Sequence, residues 1–392
     1  MNPSILDREV QEFIRQHTAS DVNPILLKKS PFATVSSKEI AEQIDSRNRC
    51  EKKLPTWFNT PQIYYPPKLA VEQSSSEATA VYKSQLAIGG CLIDLTGGFG
   101  VDSYFFSSKV NELIHCELNP DLSDIAQYNS KILDAKNIRF INGNGINYLQ
   151  NTDTIFDTIY IDPARRVENR KVFLLKDCEP DVVSNFKLLL SKTRRLIIKT
   201  SPLIDLQSGL KELANVSEIH IISVKNDCKE VLWVIDKDFE GEAAVKCVLL
   251  NEQQKQSFSF NFSEEKSIAQ VDYSKPERFL YEPDVALLKA GCFKLITKRL
   301  EIKKLHPNTH LYTSENLENS FPGRKFKIVS AGSYKDFIKY SRIKKANIIT
   351  RNFPSSPEQL KKKHKLADGG TDYLIFCTGS ESELLTLHAE RI

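Results

Sequence analysis

Two short stretches of this chain hold residues whose types and spacing suggest chemistry. "LIDLTGGFGVDS" carries an apolar run into a glycine-rich turn with Asp94, Thr96, Gly97, Gly98, Gly100 and Asp102. "YIDPARR" ends a second apolar run on Asp162, turns at Pro163 and then shows Arg165 and Arg166. Glycines let a backbone approach a ligand closely and turn tightly into a helix, whose free N–H groups then face that ligand. Three ligand classes use such a turn. A phosphate loop requires Gly-Lys followed by Ser or Thr, and the chain contains no Gly-Lys pair. A dinucleotide fingerprint requires G-x-G-x-x-G/A, which Gly98, Gly100 and Ser103 narrowly miss.

The third class is S-adenosylmethionine. Asp94 and Asp102 would repel a pyrophosphate, whereas a carboxylate suits the cationic, amine-bearing end of that cofactor. Glu117 closes the next apolar run about 20 residues past the turn, where an acid accepts hydrogen bonds from both ribose hydroxyls.

Positioning these residues takes a layered scaffold. "CLIDL", "ELIHCEL", "NIRFI", "FDTIYI" and "RLIIKT" are five short apolar runs separated by helix-sized intervals, the rhythm of parallel βαβ units. "SEIHIISV" and "EVLWVID" follow as an antiparallel hairpin. Before them, residues 1–88 read as a helical region. Ser36 with Glu39 and Ser74 with Glu77 form capping boxes, Ala78, Tyr82 and Leu86 share one face, and "KLPTWFNTPQIYYPPKLA" reads as an ordered loop. Further on, "AAVKCVLL" and "SFSFNF" read as strands and "PDVALLKAGCFKLITKRL" as a helix. A last α/β unit starts near Phe321, with "YKDFIKYSRIKKA" and "SPEQLKKKHKL" as its helices.

A length of 392 residues implies two or three domains. The net charge of +4 conceals an asymmetry: Phe321–Lys365 holds thirteen Lys and Arg against Asp336 and Glu358, so the rest of the chain is net acidic. Concentrated positive charge is what a polyanion-binding module needs. The eight cysteines form no CxxC pair, which suggests neither a disulfide framework nor a zinc site, and no metal is expected. No apolar run approaches membrane length, and the N-terminus lacks the apolar core of a signal peptide, so a cytoplasmic protein is expected.

"LIDLTGGFGVDS", "HCELNP" and "YIDPARR", in this order and spacing, resemble class I S-adenosylmethionine-dependent methyltransferases. "AVEQSSSEATAVYK" before "DLTGGFGVD", then "DPARR", and a tail with "RNFP" and "DGG" resemble more closely the THUMP-like methyltransferase family, whose members are presumed to modify RNA. The resemblance implies an α/β fold: a Rossmann-like seven-stranded methyltransferase domain over 89–240 behind an N-terminal helical region over 1–88. It also implies a small ferredoxin-like α+β domain over 241–320 and a C-terminal THUMP-like α/β domain over 321–392. Carried over, it puts Asp94, Thr96, Gly97, Gly98, Gly100 and Asp102 along the methionine part of the cofactor, Glu117 on the ribose, and Leu118 or Asn144 beside adenine. Gln73 and Ser74 would close that pocket.

Asp162 and Pro163 then form the platform for the methyl acceptor. In amino-methyltransferases the related Asp/Asn-Pro-Pro-aromatic motif holds an exocyclic amine for in-line displacement; here Ala164 and Arg165 stand where the second proline and the aromatic would be. Arg165 and Arg166 read as a phosphate clamp or base-stacking pair, or as internal ion-pair partners of Glu168 or Asp177. Lys344, Lys345, Arg351, Lys361, Lys362 and Lys363 read as an RNA-binding cluster. The expectation is methylation of a base nitrogen in rRNA or tRNA. Methylation of a small molecule or protein is one alternative, and a non-catalytic RNA-binding protein with a relic cofactor pocket is the other.

Overall fold

The computed structural model describes residues 1–18, 21–165, 175–251 and 255–392, with the side chain of Arg165 excepted. The chain divides into two compact units, Met1–Ser217 with Val231–Gly241, and Glu218–Glu230 with Glu242–Ile392.

In the first unit the five apolar runs form strands β1 (Cys91–Asp94), β2 (Glu112–Glu117), β3 (Ile138–Asn142), β4 (Phe156–Ile161) and β5 (Thr193–Thr200). They are parallel in the order β3-β2-β1-β4-β5. Strands Val216–Val224 (β6) and Asp227–Asp236 (β7) are connected by Lys225 and Asn226, both at positive φ; Val231–Asp236 of β7 stay in this unit and run antiparallel to β5, whereas Glu218–Glu230 belong to the second unit. Leu92, Ile93, Ile159, Tyr160, Ile161, Leu196, Ile197 and Ile198 are buried, as strands covered on both faces must be. Strand order reverses between β1 and β4, and in open α/β sheets ligands bind beyond the strand ends at that point.

The helical region belongs to this same unit. Ile40 and Ile44 of α2 (Ser37–Lys53), which follows α1 (Arg8–Gln16), pack with Trp57 and Tyr65 against Phe99, Val101 and Ile125. The capping box of Ser36 and Glu39 is present. The expected loop contains two helices, α3 (Pro55–Asn59) and α4 (Lys68–Gln73). A proline at the first position of α3 pre-sets its φ, which favours a helix start over a loop. The remaining stretch at Tyr64 and Tyr65 is buried, and its backbone is satisfied by the amides of Asn129 and Gln43. Helix α5 (Glu77–Ser84) is capped by Ser76, which accepts from Thr79 N–H, and not by Ser74. Glu77 instead accepts hydrogen bonds from Thr56. Its inward face is Thr79, Ala80, Tyr82 and Lys83, and Ala78 is exposed. Helices α6 (Val101–Ser107), α7 (Pro120–Ile132), α8 (Gly145–Asn151) and α9 (Val182–Ser191) follow the strands.

In the second unit β8 (Ala244–Leu250) pairs parallel with β6 and antiparallel with β9 (Lys255–Asn261). A seven-stranded sheet is built from β10 (Phe279–Pro283), β11 (Lys303–Lys304), β12 (Tyr312–Ser314), β13 (Gly323–Ser333), β14 (Asn347–Arg351), β15 (Asp372–Thr378) and β16 (Leu384–Arg391), in the order β11-β12-β10-β13-β16-β15-β14. The segment expected as one helix over 283–300 is two, α10 (Val285–Ala290) and α11 (Leu295–Leu300), because Gly291 at φ +76 ends the first. The helix expected over 334–346 stops at Tyr340, giving α12 (Tyr334–Tyr340). Residues 344–346 then pair with Ala367 just beyond α13 (Pro357–His364), exchanging two backbone hydrogen bonds with it. The strand-like bridge satisfies those backbone groups in place of another helical turn.

Candidate active site

The glycine turn is held from behind. Gly97 N–H donates to Cys116 O, and a Cβ on Gly97 would lie 2.0 Å from the His115 ring, so only glycine fits. Gly98 has φ +55, and a Cβ there would meet only the Thr96 carbonyl oxygen at 3.9 Å, so the turn presents bare backbone at the strand ends. Its N–H donates to Glu117 Oε2 at 2.8 Å, while Glu117 Oε1 accepts Asn119 N–H at 2.8 Å. Each carboxylate oxygen has two lone pairs, so Glu117 keeps acceptor capacity for a diol. Gly143 N–H donates to Glu117 O, and Gly145 fits tightly against the Leu95 carbonyl. These contacts bring Asn144 to the ends of β1 and β2. Its Oδ1 caps α8 through the N–H groups of Ile146 and Asn147. Leu118, next to Glu117, is 70% exposed, a bare apolar side chain of the kind a purine ring would cover.

The two acids of the turn point into the protein. Asp94 is buried, with Oδ1 accepting Thr96 N–H at 3.0 Å and Oδ2 accepting the Ser103 hydroxyl at 2.6 Å. Burial pushes its carboxyl up to about 7, opposed by the Ser103 and Thr96 hydrogen bonds and reinforced by Asp102 and Asp162. Ser103 also bonds His115 Nδ1 at 2.9 Å. Burial pushes that imidazole down to about 3, so it is neutral. Asp102 Oδ2 accepts from Ser75 Oγ and Tyr160 Oη, both at 2.8 Å, and Lys83 Nζ lies 3.0 Å from Oδ1. Burial alone would raise the Asp102 carboxyl, but Lys83, Lys199 and Ser75 reverse that, and its pKa is lowered. Ser75 therefore anchors the entering segment: Ser74 bonds back to Val71 O, and Gln73 is exposed at the end of α4.

Asp162 sits where β4 ends. Its N–H donates to Thr96 Oγ1 at 2.7 Å, which ties it to the glycine turn, and its Oδ2 accepts from Lys199 Nζ at 2.5 Å. Ile161 pairs with Ile198 in the parallel register, so Asp162 and Lys199 follow at adjacent strand ends on the same face. Pro163 is buried, and beyond it Ala164 and Arg165 pair as a two-residue strand with Glu179 and Cys178. Arg166 and Glu168 lie outside the described residues, as does the side chain of Arg165.

Residues 279–322 match a family model described as a ferredoxin-like domain, and residues 323–391 match one described as THUMP domain-like. A crystal structure from Porphyromonas gingivalis W83, described as a "putative methyltransferase", is 33% identical to this chain with a TM-score of 0.87, covering 98% of this chain and 97% of that one. The chain belongs to the THUMP-like methyltransferase family. Among curated proteins, an uncharacterized RNA methyltransferase of Mycoplasma mobile is 36% identical over 75 residues. That match spans 19% of this chain and 21% of the Mycoplasma protein.

The second unit of this methyltransferase carries the basic segment, and the structure sorts its cations. Arg351 is engaged: its Nη2 is 2.5 Å from Oε1 of the buried Glu282, which Arg324 also contacts. Lys361 pairs with Asp368 at 2.9 Å, and Lys363 Nζ lies over the Tyr334 ring. Lys344, Lys345 and Lys362 are exposed and make no ion pair among the described residues, as do Lys335, Lys339, Arg342 and Lys365. The bridge between residues 344–346 and Ala367 brings Lys344 and Lys345 beside the C-terminal end of α13, where cations are favoured by the helix dipole. Tyr334, Phe337 and Phe353 pack into an aromatic cluster with Phe376.

Lys83, Ser75, Tyr160, His115 and Lys199 were given no site role by the sequence, and Ser103 entered only as the near miss of a dinucleotide fingerprint. A signal existed for Lys199: it is the first polar residue after the apolar run of "RLIIKT", as Asp162 is after that of "FDTIYID". Nothing local marks Lys83 as buried. Among the described residues no helix is long and apolar enough to cross a membrane, and no group of three or more His, Cys, Asp or Glu is arranged to hold a metal ion.

Proposed function

We propose that this methyltransferase uses S-adenosylmethionine to methylate a base nitrogen in structured RNA of the cytoplasm, either rRNA or tRNA. The observation that carries the reading is the direct link between the acceptor platform and the cofactor turn: Asp162 N–H on Thr96 Oγ1. The bare backbone at Gly98, the spare acceptor capacity of Glu117 and the exposed Leu118 suit an adenosyl group, so these residues fit the cofactor. Thr96, Gly97 and Gly100 would shape the methionine end, with Asp94 and Asp102 fixing the turn from beneath through Ser103 and Lys83. Bound there, the sulfonium supplies an electrophilic methyl group. The protein's own part is positioning: Asp162 orients the acceptor nitrogen.

RNA as substrate is supported by the THUMP-like domain and by the free cations Lys344, Lys345 and Lys362. Arg165 and Arg166 are proposed as phosphate contacts beside the acceptor. The test compares RNA from cells with and without the protein by nucleoside mass spectrometry, then treats the deficient RNA with purified wild type and Asp162→Ala. A methylated nucleoside that disappears in the deficient cells and is restored by wild type alone is expected. No such nucleoside and no transfer would end the RNA reading.

A further inference from the structure

Asp162 does not meet the acceptor alone. Its Oδ2 is bonded to Lys199 Nζ at 2.5 Å, with side chains 33% and 13% exposed, so the pair is half-sheltered at the mouth of the strand ends. An exocyclic amine offers two N–H donors and is best held by two acceptors. A carboxylate beside an ammonium instead presents one acceptor next to one donor. That pattern complements a lactam edge, a ring N–H beside a carbonyl, as found in guanine and uracil.

The charges agree with this edge. An exocyclic amine gains positive charge as the methyl group arrives, which a neighbouring ammonium opposes. A lactam ring nitrogen must lose its proton, and the resulting negative charge spreads onto the carbonyl oxygen, where an ammonium stabilises it. The chain also lacks the aromatic that would stack an amine-bearing base after Pro163, with Ala164 and Arg165 in its place.

We propose, resting on the RNA methyltransferase reading above, that the acceptor is the proton-bearing ring nitrogen of a lactam base, held with its N–H on Asp162 and its carbonyl toward Lys199. The ring N–H bond breaks and its proton passes to the Asp162 carboxylate. The freed electron pair forms the new N–CH3 bond, while the methyl–sulfur bond breaks and leaves its electrons on sulfur. Base, sulfur and Asp162 all end neutral, and Lys199 stays charged throughout.

The experiment treats RNA from deficient cells with the purified chain and a deuteromethyl donor, and identifies the labelled nucleoside by mass spectrometry against standards. Label on N1 of guanine or N3 of uracil, the ring nitrogens that carry the lactam proton, is the expected result. Label on an exocyclic amine, a ring nitrogen without a lactam proton such as N7 of guanine, a base carbon or a ribose hydroxyl overturns the lactam assignment but leaves the RNA reading standing, whereas no label in any nucleoside removes both. In the same assay Lys199→Met should lose about 10²-fold in kcat at pH 7, the size of effect seen when one charge-stabilising donor is removed. The loss should shrink as pH rises toward the range where the free base ionises. Lys199→Arg, which keeps the charge, should retain most of the rate, and unchanged S-adenosylmethionine affinity in both variants shows that they are folded. Full activity of Lys199→Met at pH 7 would overturn the assignment.

Discussion

Lys83 Nζ lies 3.0 Å from Asp102 Oδ1, with side chains 0% and 11% exposed, and the pair joins α5 to the first turn of α6 beneath the glycine loop. Ser75 and Tyr160 complete the coordination of the acid, so four segments meet on one carboxylate. Removing one member of a buried pair leaves the other charge uncompensated, at a cost of roughly 3–5 kcal/mol. Lys83→Met should therefore lower unfolding stability by that order in urea titration. Lys83→Met combined with Asp102→Leu should recover part of the loss, because no buried charge remains. A single variant as stable as wild type would show that the pair is dispensable.

Asp94 and His115 share Ser103 and respond to acid in opposite directions. The Asp94 carboxyl is raised in the folded state, so its contribution is fully present below about pH 4 and is lost as pH rises toward about 7. The His115 imidazole is depressed in the folded state, so its contribution is fully present above about pH 6.5 and is lost as pH falls toward about 3. Between pH 4.5 and 6.5 the two slopes oppose each other. Asp94→Asn removes one of them and should make unfolding stability fall with acid by about 1.4 kcal/mol per pH unit over that range. Thermal or urea unfolding without cofactor reads this out, and a pH-independent Asp94→Asn would contradict it.

Glu117 receives two backbone N–H groups and borders the exposed Leu118. Glu117→Ala should weaken S-adenosylmethionine binding by at least about tenfold in calorimetry, the loss expected for charge-assisted hydrogen bonds to a diol. Unfolding stability should change little, since the side chain is partly exposed. Wild-type affinity in Glu117→Ala would remove it from the ribose position.

The cations of the second unit should divide into two classes. Lys344→Ala, Lys345→Ala and Lys362→Ala should each weaken RNA binding and reduce the slope of log K against log salt by about 1, as expected when one phosphate contact is lost. Arg351→Ala should act mainly on stability, by roughly 2 kcal/mol, because it strips a hydrogen-bonded charge from the buried Glu282. An Arg351→Ala variant with native stability and a reduced salt slope would return that residue to the RNA surface.

What the sequence by itself determined is local. The glycine turn, the five strand runs, Asp162 at a strand end and the basic C-terminal segment were all legible, because each depends on residue type and periodicity within one element. Pairings between distant residues were not. Asp162 meets Lys199 because β4 and β5 align Ile161 with Ile198, and nothing in either strand specifies that register alone. Lys83 reads as a surface lysine until α5 is laid against α6, and nothing near Asp102 in the sequence announces that Lys83 reaches it. Arg351 and Lys361 match Lys344 and Lys362 in type and differ only in the acids folding brings beside them, Glu282 and Asp368. Tertiary structure decides such partnerships because a charge taken from water must find its compensation wherever the packed chain supplies it.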